Sequence, residues 1–267
     1  HKDSLTKVLG KGPIVEVIAL EKTKSLEEMP NLINQLLIAG IRRSDTLIVI
    51  GGGIVQDIGC FIASTLFRGL DWVFIPTTLL AQADSCIGSK SSINILGYKN
   101  IVGTFNPPNA VHICPQFLDS LSDIEIRSGI GEMLKVHMLD SIGSLSTIVK
   151  NYNALLDNRT VLMKFLYRSL EIKKRFIEAD EFDKNIRNLL NYGHSFGHAI
   201  EAATDFKIPH GIAVSMGMDL ANFVAKNIGV GTVEPFMISH QTLKKNYKGY
   251  ETEAVPMELF KKSLKKD

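Results

Sequence analysis

Arg187, Asn191, His194, His198 and Glu201 fall at i, i+4, i+7, i+11 and i+14 in the segment Arg187-Asn188-Leu189-Leu190-Asn191-Tyr192-Gly193-His194-Ser195-Phe196-Gly197-His198-Ala199-Ile200-Glu201. That is the spacing of one face of a helix. On an amphipathic helix such a stripe is ordinarily apolar and faces the core. Here it carries a guanidinium, an amide, two imidazoles and a carboxylate. A solvated polar face is the plain alternative, but such faces are rich in lysine, and this one has none. Gly193 and Gly197 interrupt the same predicted helix, each at a cost of roughly 1 kcal/mol relative to alanine. A helix that accepts that cost has another backbone or a bulky ligand close by.

Metal chemistry is the first use for these groups. His194 and His198 lie one turn apart and could both ligate an ion, and His210, which follows Pro209 in a turn-like segment, could fold back toward them. A carboxylate must come from elsewhere. Glu132 in Gly129-Ile130-Gly131-Glu132-Met133-Leu134-Lys135 is the leading candidate, with Lys135 at i+3 able to enter the same cavity. Two or three protein ligands and an open position describe a catalytic zinc-type site. The alternative is a set of satisfied structural histidines.

A second signature lies upstream. Thr46-Leu47-Ile48-Val49-Ile50 is a short β-branched run ending in Gly51-Gly52-Gly53, and a helical pattern follows from Ile54 to Leu66, with Asp57 in its first turn. Strand, glycine turn and helix N-terminus present backbone N–H groups to a pyrophosphate in α/β folds, although the spacing is not Gly-x-Gly-x-x-Gly and a plain tight turn fits as well. A second strand, Trp72-Val73-Phe74-Ile75, ends in Pro76-Thr77-Thr78, with hydroxyls at the carboxyl end where ligands bind in open parallel sheets. The polar segment Asp84-Ser85-Cys86-Ile87-Gly88-Ser89-Lys90-Ser91-Ser92-Ile93-Asn94, then Lys99-Asn100, has loop composition. Its lysines bind an anion in one reading and stand in solvent in the other, and the segment alone favours solvent.

The elements that must position these groups follow from periodicity. Up to residue 116 helix, strand and glycine turn alternate, which predicts a Rossmann-like α/β domain over 1–116, with helices at Leu26–Ala39 and Ile54–Leu66. Residues 117–267 read as a helical domain, with helices over Ile124–Leu139, Ser144–Leu156, Thr160–Glu178, Arg187–Ala203 and Gly211–Lys226. The coenzyme side would come from the first domain and the metal from the second, with the active site in the cleft between them. The chain has 267 residues, enough for two domains, and a formal net charge of +2, which offers no bulk attraction for nucleic acid. Cys60, Cys86 and Cys114 share no Cys-x-x-Cys spacing and read as reduced thiols of a cytoplasmic protein. No signal peptide or membrane span is visible, and the basic tail from Lys261-Lys262 to Lys265-Lys266 reads as a solvated helix face.

Taken together, Gly51-Gly52-Gly53 with Asp57, Arg68-Gly69, Pro76-Thr77-Thr78-Leu79-Leu80-Ala81, Asp84-Ser85, Lys90, Asn94, Lys99-Asn100, Gly129 with Glu132 and Lys135, Lys173 with Asp180, the Arg187–Glu201 segment and His210-Gly211 resemble the 3-dehydroquinate synthase family of sugar-phosphate cyclases, in order and spacing from Glu21 onward. The resemblance implies that one divalent metal, zinc or cobalt, is held by Glu132, His194 and His210, with His198 in the active site but off the metal. It implies that NAD is held by Glu21, Lys24, Gly51, Gly52, Gly53, Asp57, Thr77, Thr78, Asp84 and Lys99. Asp84, Lys90, Asn100, Lys173, Arg187 and Asn191 match positions around the substrate, and Arg68 matches an arginine that reaches the substrate phosphate from the other subunit of a homodimer. Lys90, Lys135, Lys173 and His198 match the catalytic positions.

The implied reaction converts 3-deoxy-D-arabino-heptulosonate 7-phosphate to 3-dehydroquinate and phosphate with transient NAD reduction, in the shikimate pathway. Ser89, Ser91, Tyr98 and Ser122 depart from the family pattern, near the substrate loop and the domain junction. They leave open a cyclase for a sedoheptulose-type phosphate. A metal-dependent NAD polyol dehydrogenase shares the plan, whereas a non-catalytic sugar-phosphate binding protein would not need the metal set. The resemblance also implies a strand–helix unit before His1 and a lysine-bearing segment after Asp267.

Overall fold

A computed structural model of the chain describes residues 12–265. The chain divides into two compact units: the first runs to Ala81 and resumes over Gly88–Ser120, and the second comprises Gln82–Ile87 with the chain from Leu121. The sequence boundary at 116/117 does not anticipate the excursion of residues 82–87 into the second unit. The fold class is the expected one, an α/β unit followed by an all-α unit.

In the first unit α1 (Met29–Ile38) precedes β1 (Thr46–Gly51), α2 (Gly53–Thr65) and β2 (Asp71–Pro76). An antiparallel ribbon of β3 (Ile93–Ile95) and β4 (Tyr98–Val102) follows, then β5 (Ala110–Val111). β2 is central and parallel to both neighbours, with Thr46 opposite Asp71 and Val73 opposite Ala110. A parallel pair needs a crossover, and α2 supplies it. Pro76 closes β2 at its end, where the missing N–H costs no ladder bond. Trp72 and Phe74 point one way along β2 and are buried, while Met29, Leu32, Ile58, Ile62 and Ile93 form a core from α1, α2 and β3. Sequence reasoning treated the ribbon as loop. Its two-residue turn, Leu96-Gly97, has positive φ at both positions, 49° and 79°, the backbone of a hairpin turn usually signalled by Asn-Gly. Leucine gives no such signal.

The second unit holds α3 (Asp123–Asp140), α4 (Ile142–Lys150), α5 (Tyr152–Asp157), α6 (Arg159–Ala179), α7 (His194–Ala203), α8 (His210–Ile228), α9 (Glu234–Asn246) and α10 (Met257–Leu264). Ser122 caps α3: Ser122 Oγ accepts from Glu125 N at 3.4 Å, and the Glu125 carboxylate accepts from Ser122 N at 2.8 Å. Two predicted helices are corrected. Ser144–Leu156 is broken at Asn151 into α4 and α5. Arg187–Ala203 is not one helix: Ile186–Asn191 is a 3₁₀ segment, Gly193 adopts φ 77°, and α7 starts at His194. α9 and α10 were not expected as separate helices. Lys261 and Lys262 are exposed on α10 as predicted for the tail, while Lys266 lies outside the described residues. Among the described residues no helix is long and apolar enough to cross a membrane.

α3 and α8 meet at backbone distance. A Cβ on Gly131 would sit 2.2 Å from the Gly211 carbonyl oxygen, and one on Gly211 would sit 1.8 Å from that of Ser128. Hydrogen bonds lock the crossing: Gly211 N donates to Ser128 Oγ at 3.0 Å, Ser215 Oγ donates to Gly211 O at 2.8 Å, and fully buried Asn246 donates to Ser215 Oγ at 2.8 Å and to Arg127 O at 3.1 Å. Gly131→Ala is therefore expected to cost about 1–3 kcal/mol, the usual penalty of overpacking, read as a lower urea midpoint. An unchanged midpoint would mean that the helices can part without loss.

Candidate active site

In the second unit Glu132 sits mid-α3 with 1 % exposure, one residue beyond the glycine that lets α8 approach. A carboxylate that deep is unfavourable unless cations or donors surround it. Lys135, one turn on and 3 % exposed, forms an ion pair with Glu132 Oε2. His194 Nε2 lies 3.7 Å and His210 Nε2 3.3 Å from Glu132 Oε1. Gly193 ends the 3₁₀ segment and starts α7 at His194; Pro209 caps α8 so that His210 is its first residue. Both imidazoles thus project from helix N-termini. Their other nitrogens are also occupied: His194 Nδ1 is 3.3 Å from the Tyr192 carbonyl oxygen, and His210 Nδ1 is 3.1 Å from Glu201 Oε2.

Protonation follows from these contacts. Burial opposes charge on Glu132, but Lys135, His194 and His210 outweigh it and hold the carboxyl well below its ordinary range. Burial likewise opposes the Lys135 ammonium, and Glu132 raises it nonetheless. His194 is pushed well below the ordinary histidine value by burial and then by Lys135. Against burial, the contacts with the Glu132 and Glu201 carboxylates raise His210 to about 10.

The donor set suits a divalent cation. Glu132, His194 and His210 offer one ligand atom each within 4.8 Å of one another, and neither Glu132 oxygen makes a well-formed hydrogen bond. A second group, His198, Glu201 and His210, meets the same distance limit. His194 and His198, paired as ligands on spacing alone, share neither group; their rings meet edge to face at 5.2 Å.

Other predicted residues of this unit gather nearby in the chain's own network. Lys173 Nζ lies 2.9 Å from Asp84 Oδ1 and donates to the Asp84 carbonyl oxygen at 2.6 Å, which ties the 82–87 excursion to α6. Arg187 is 5 % exposed and donates to the Glu181 carbonyl oxygen, while its N–H bonds Asp180 Oδ2 at 3.1 Å. Arg187 and Asn191 were expected one α-turn apart on the histidine helix. In a 3₁₀ segment of about three residues per turn, positions four apart do not share a face, and here Arg187 is buried while Asn191 is exposed.

The first unit brings a different predicted set together. Lys24 Nζ donates to Asp57 Oδ2 at 3.1 Å and to Asn100 Oδ1 at 2.8 Å, and lies 3.6 Å from Glu21 Oε1. Glu21 Oε1 also accepts from Asn94 Nδ2 at 2.9 Å and lies 3.5 Å from Lys99 Nζ. Asp57 is in the second turn of α2 rather than the first, where Ser92 N donates to it at 2.9 Å; burial, opposed by Lys24, pushes its carboxyl up to about 6. Gly51 ends β1, Gly52 caps α2 without a side-chain bond, and Gly53 begins it. A Cβ on Gly52 would lie 2.9 Å from Thr78 Cγ2, and Thr77 N donates to Gly51 O at 2.9 Å. The two threonines thus abut the glycine turn, whose first-turn N–H groups have no side-chain cap. Lys90 pairs with Phe105 in an isolated bridge. Arg68, at φ 67° before Gly69, lines a cavity of about 430 Å³ with Arg43, Asp71 and Thr104.

Comparison with known proteins decides the family. The 3-dehydroquinate synthase N-terminal family model matches residues 14–128 and the 3-dehydroquinate synthase C-terminal model residues 129–267. The chain belongs to the 3-dehydroquinate synthase family. A 3-dehydroquinate synthase of Dictyoglomus thermophilum is 41 % identical over 218 residues, covering 81 % of this chain and 61 % of that protein. The chain spans 55–65 % of the length of such curated relatives. Among solved structures, ValA, the 2-epi-5-epi-valiolone synthase of Streptomyces hygroscopicus with NAD+ and Zn2+ bound, is 25 % identical with a TM-score of 0.83, covering 94 % of this chain and 71 % of that one. An iron-containing alcohol dehydrogenase, 18 % identical with a TM-score of 0.71 over 99 % of this chain and 79 % of its own, shares the fold.

Glu201, which the sequence places on the histidine face but to which spacing gives no role, is a side-chain partner of this site that sequence reasoning missed. Its signal was the i+7 spacing from His194. For the buried pair, Lys135→Met in metal-free protein is expected to cost about 3–5 kcal/mol, since it strips an internal carboxylate of its counter-ion; chemical denaturation in the presence of a chelator measures it. No loss would show that the histidines alone neutralise Glu132.

Proposed function

We propose that this chain carries 3-dehydroquinate synthase activity, converting 3-deoxy-D-arabino-heptulosonate 7-phosphate to 3-dehydroquinate and phosphate. The observation that supports it best is the buried Glu132–His194–His210 set beside Lys135, in a chain matched over nearly its whole length by both halves of the family. Glu132, His194 and His210 would hold zinc or cobalt; when bound, such an ion acts as a Lewis acid on a substrate oxygen. NAD would be held by Glu21, Lys24, Gly51, Gly52, Gly53, Asp57, Thr77, Thr78, Asp84 and Lys99. The support is the uncapped N-terminus of α2 beside the threonines, since backbone N–H groups there suit a pyrophosphate.

The chain's own side chains supply orientation and proton control. Lys135 and Lys173, each fixed on a carboxylate, hold positive charge where an anionic substrate is to be positioned. Arg187 contributes a planar fork suited to a carboxylate or phosphate, anchored through the Glu181 carbonyl. Asn191, Asn100 and Lys90 complete the substrate set, and we assign His198, whose ring meets that of His194 edge to face, to proton exchange with a substrate hydroxyl. We assign Arg68 to the substrate phosphate of the neighbouring subunit in a homodimer. Its support is a strained backbone, with Phe67 and Arg68 both at positive φ, that holds the guanidinium in an open cavity. The free cysteines suit a reducing compartment, and we place the protein in the cytoplasm.

The test is to give the protein the heptulosonate phosphate with NAD and Zn2+ or Co2+, following phosphate release beside the NADH absorbance band. Phosphate release with no lasting NADH is expected. Accumulating NADH would make the chain a dehydrogenase, and turnover of sedoheptulose 7-phosphate alone would make it a different cyclase. Arg187→Lys is expected to lower kcat/KM by roughly 1.5–3 kcal/mol, the range for hydrogen bonds to charged groups, and to matter far less for a sugar phosphate lacking the carboxylate. Equal losses on both substrates would show that Arg187 reads another group.

A further inference from the structure

One buried carboxylate on the histidine face has no part in the reading above. Glu201 is 7 % exposed, and its Oε2 lies 3.1 Å from His210 Nδ1 while His210 Nε2 faces Glu132 Oε1 at 3.3 Å. We propose that Glu201 is a positioning residue that fixes the ring and tautomer of His210, so that Nε2 is the metal-ligating nitrogen. The proposal rests on the reading of Glu132, His194 and His210 as the ligand set.

The chemistry of imidazole carries it. A neutral ring has one N–H and one lone pair, and whichever nitrogen donates its proton decides which is left to ligate. Metal-bound histidines give their second N–H to a carboxylate or backbone carbonyl, which sets the ring and raises its basicity. Both kinds of partner occur here: the Tyr192 carbonyl for His194 and the Glu201 carboxylate for His210. His210 is the more exposed of the two rings, 34 % against 12 %, so it has the greater need of an anchor.

The chain between the two residues is built to bring them together. Glu201 lies in the last turn of α7 and His210 opens α8, and the connection turns through Asp205 and Phe206, adjacent non-glycine residues at φ 52° and 59°. Phe206 N closes that turn on the Glu201 carbonyl oxygen at 2.9 Å. Left-handed backbone at two successive residues with side chains is unfavourable and persists where the surroundings demand it. Glu201 also belongs to the His198–Glu201–His210 group, but the His210 atom it faces is Nδ1, at 3.1 Å, so an ion seated between them would take that nitrogen. An imidazole serving ions through both nitrogens must lose its last proton, so Glu201 acts as the acceptor of Nδ1–H.

Metal affinity tests this without turnover. Zn2+ would be titrated against a chelating dye, and Co2+ followed by its visible absorption, in wild type, Glu201→Ala, Glu201→Gln, Glu132→Ala and His210→Ala. Glu201→Ala is expected to weaken both ions by roughly 10- to 100-fold and to change the cobalt spectrum. Glu201→Gln keeps an acceptor oxygen for Nδ1–H without the charge, so its affinity should fall between wild type and alanine. Wild-type affinity and spectrum in Glu201→Ala would overturn the proposal, as would a glutamine variant no tighter than alanine. Metal kept by Glu132→Ala and lost by Glu201→Ala would also overturn it, by making Glu201 a ligand. Circular dichroism of the metal-free variants controls for folding; should the alanine variant not fold, wild-type affinity in Glu201→Gln overturns the proposal, and weaker binding with a shifted cobalt band supports it. Undiminished binding by His210→Ala would instead refute the ligand set, whatever Glu201 does.

Discussion

The organisation of the helical unit depends on keeping one carboxylate charged inside it. Glu132 is sealed in α3, and a lone ion in that position would cost several kcal/mol or give up its charge. Lys135, His194 and His210 prevent this, and each constrains a different part of the chain. Lys135 needs only the turn of α3. His210 must arrive at the start of α8, which is possible because Gly131 and Gly211 let the two helices touch through their backbones. His194 must arrive at the start of α7, and the left-handed Gly193 makes that corner. The glycines that looked like penalties within a helix are therefore the points where helices end or approach.

The first unit repeats the principle with the sign reversed. There a buried lysine, Lys24, is the charge to be satisfied, and Glu21, Asp57 and Asn100 surround it. Asp57 ties this cluster to the backbone of Ser92, so the polar segment before β3 is held against α2 rather than left in solvent. In both units the residues proposed for cofactor binding already stabilise one another through charge. This makes the sites rigid before any ligand arrives, and preorganised groups lose little freedom on binding.

Much of this was legible from residue types. The strand–glycine–helix signal at Thr46–Leu66 located β1 and α2 to within a residue or two, and the i, i+3 spacing of Glu132 and Lys135 placed both in one interior. Spacing misled where the backbone departs from the α-helix. The 187–201 stripe fits a single helix on paper, but Ile186–Asn191 winds as 3₁₀ and Gly193 is left-handed before α7 begins. Arg187 and the histidines therefore belong to different elements. The same limit hid the ribbon turn at Leu96-Gly97, whose left-handed leucine carries no turn signature. The bond from Glu201 to His210 spans a loop with two left-handed residues, and no periodicity describes such a path.

Anomalous diffraction from crystals soaked in Zn2+, recorded on both sides of the zinc absorption edge, tests the account at its centre. One strong peak is expected, bounded by the Glu132 carboxylate and the Nε2 atoms of His194 and His210. A peak seated instead on His198 and Glu201, or no peak beside Glu132, would contradict it.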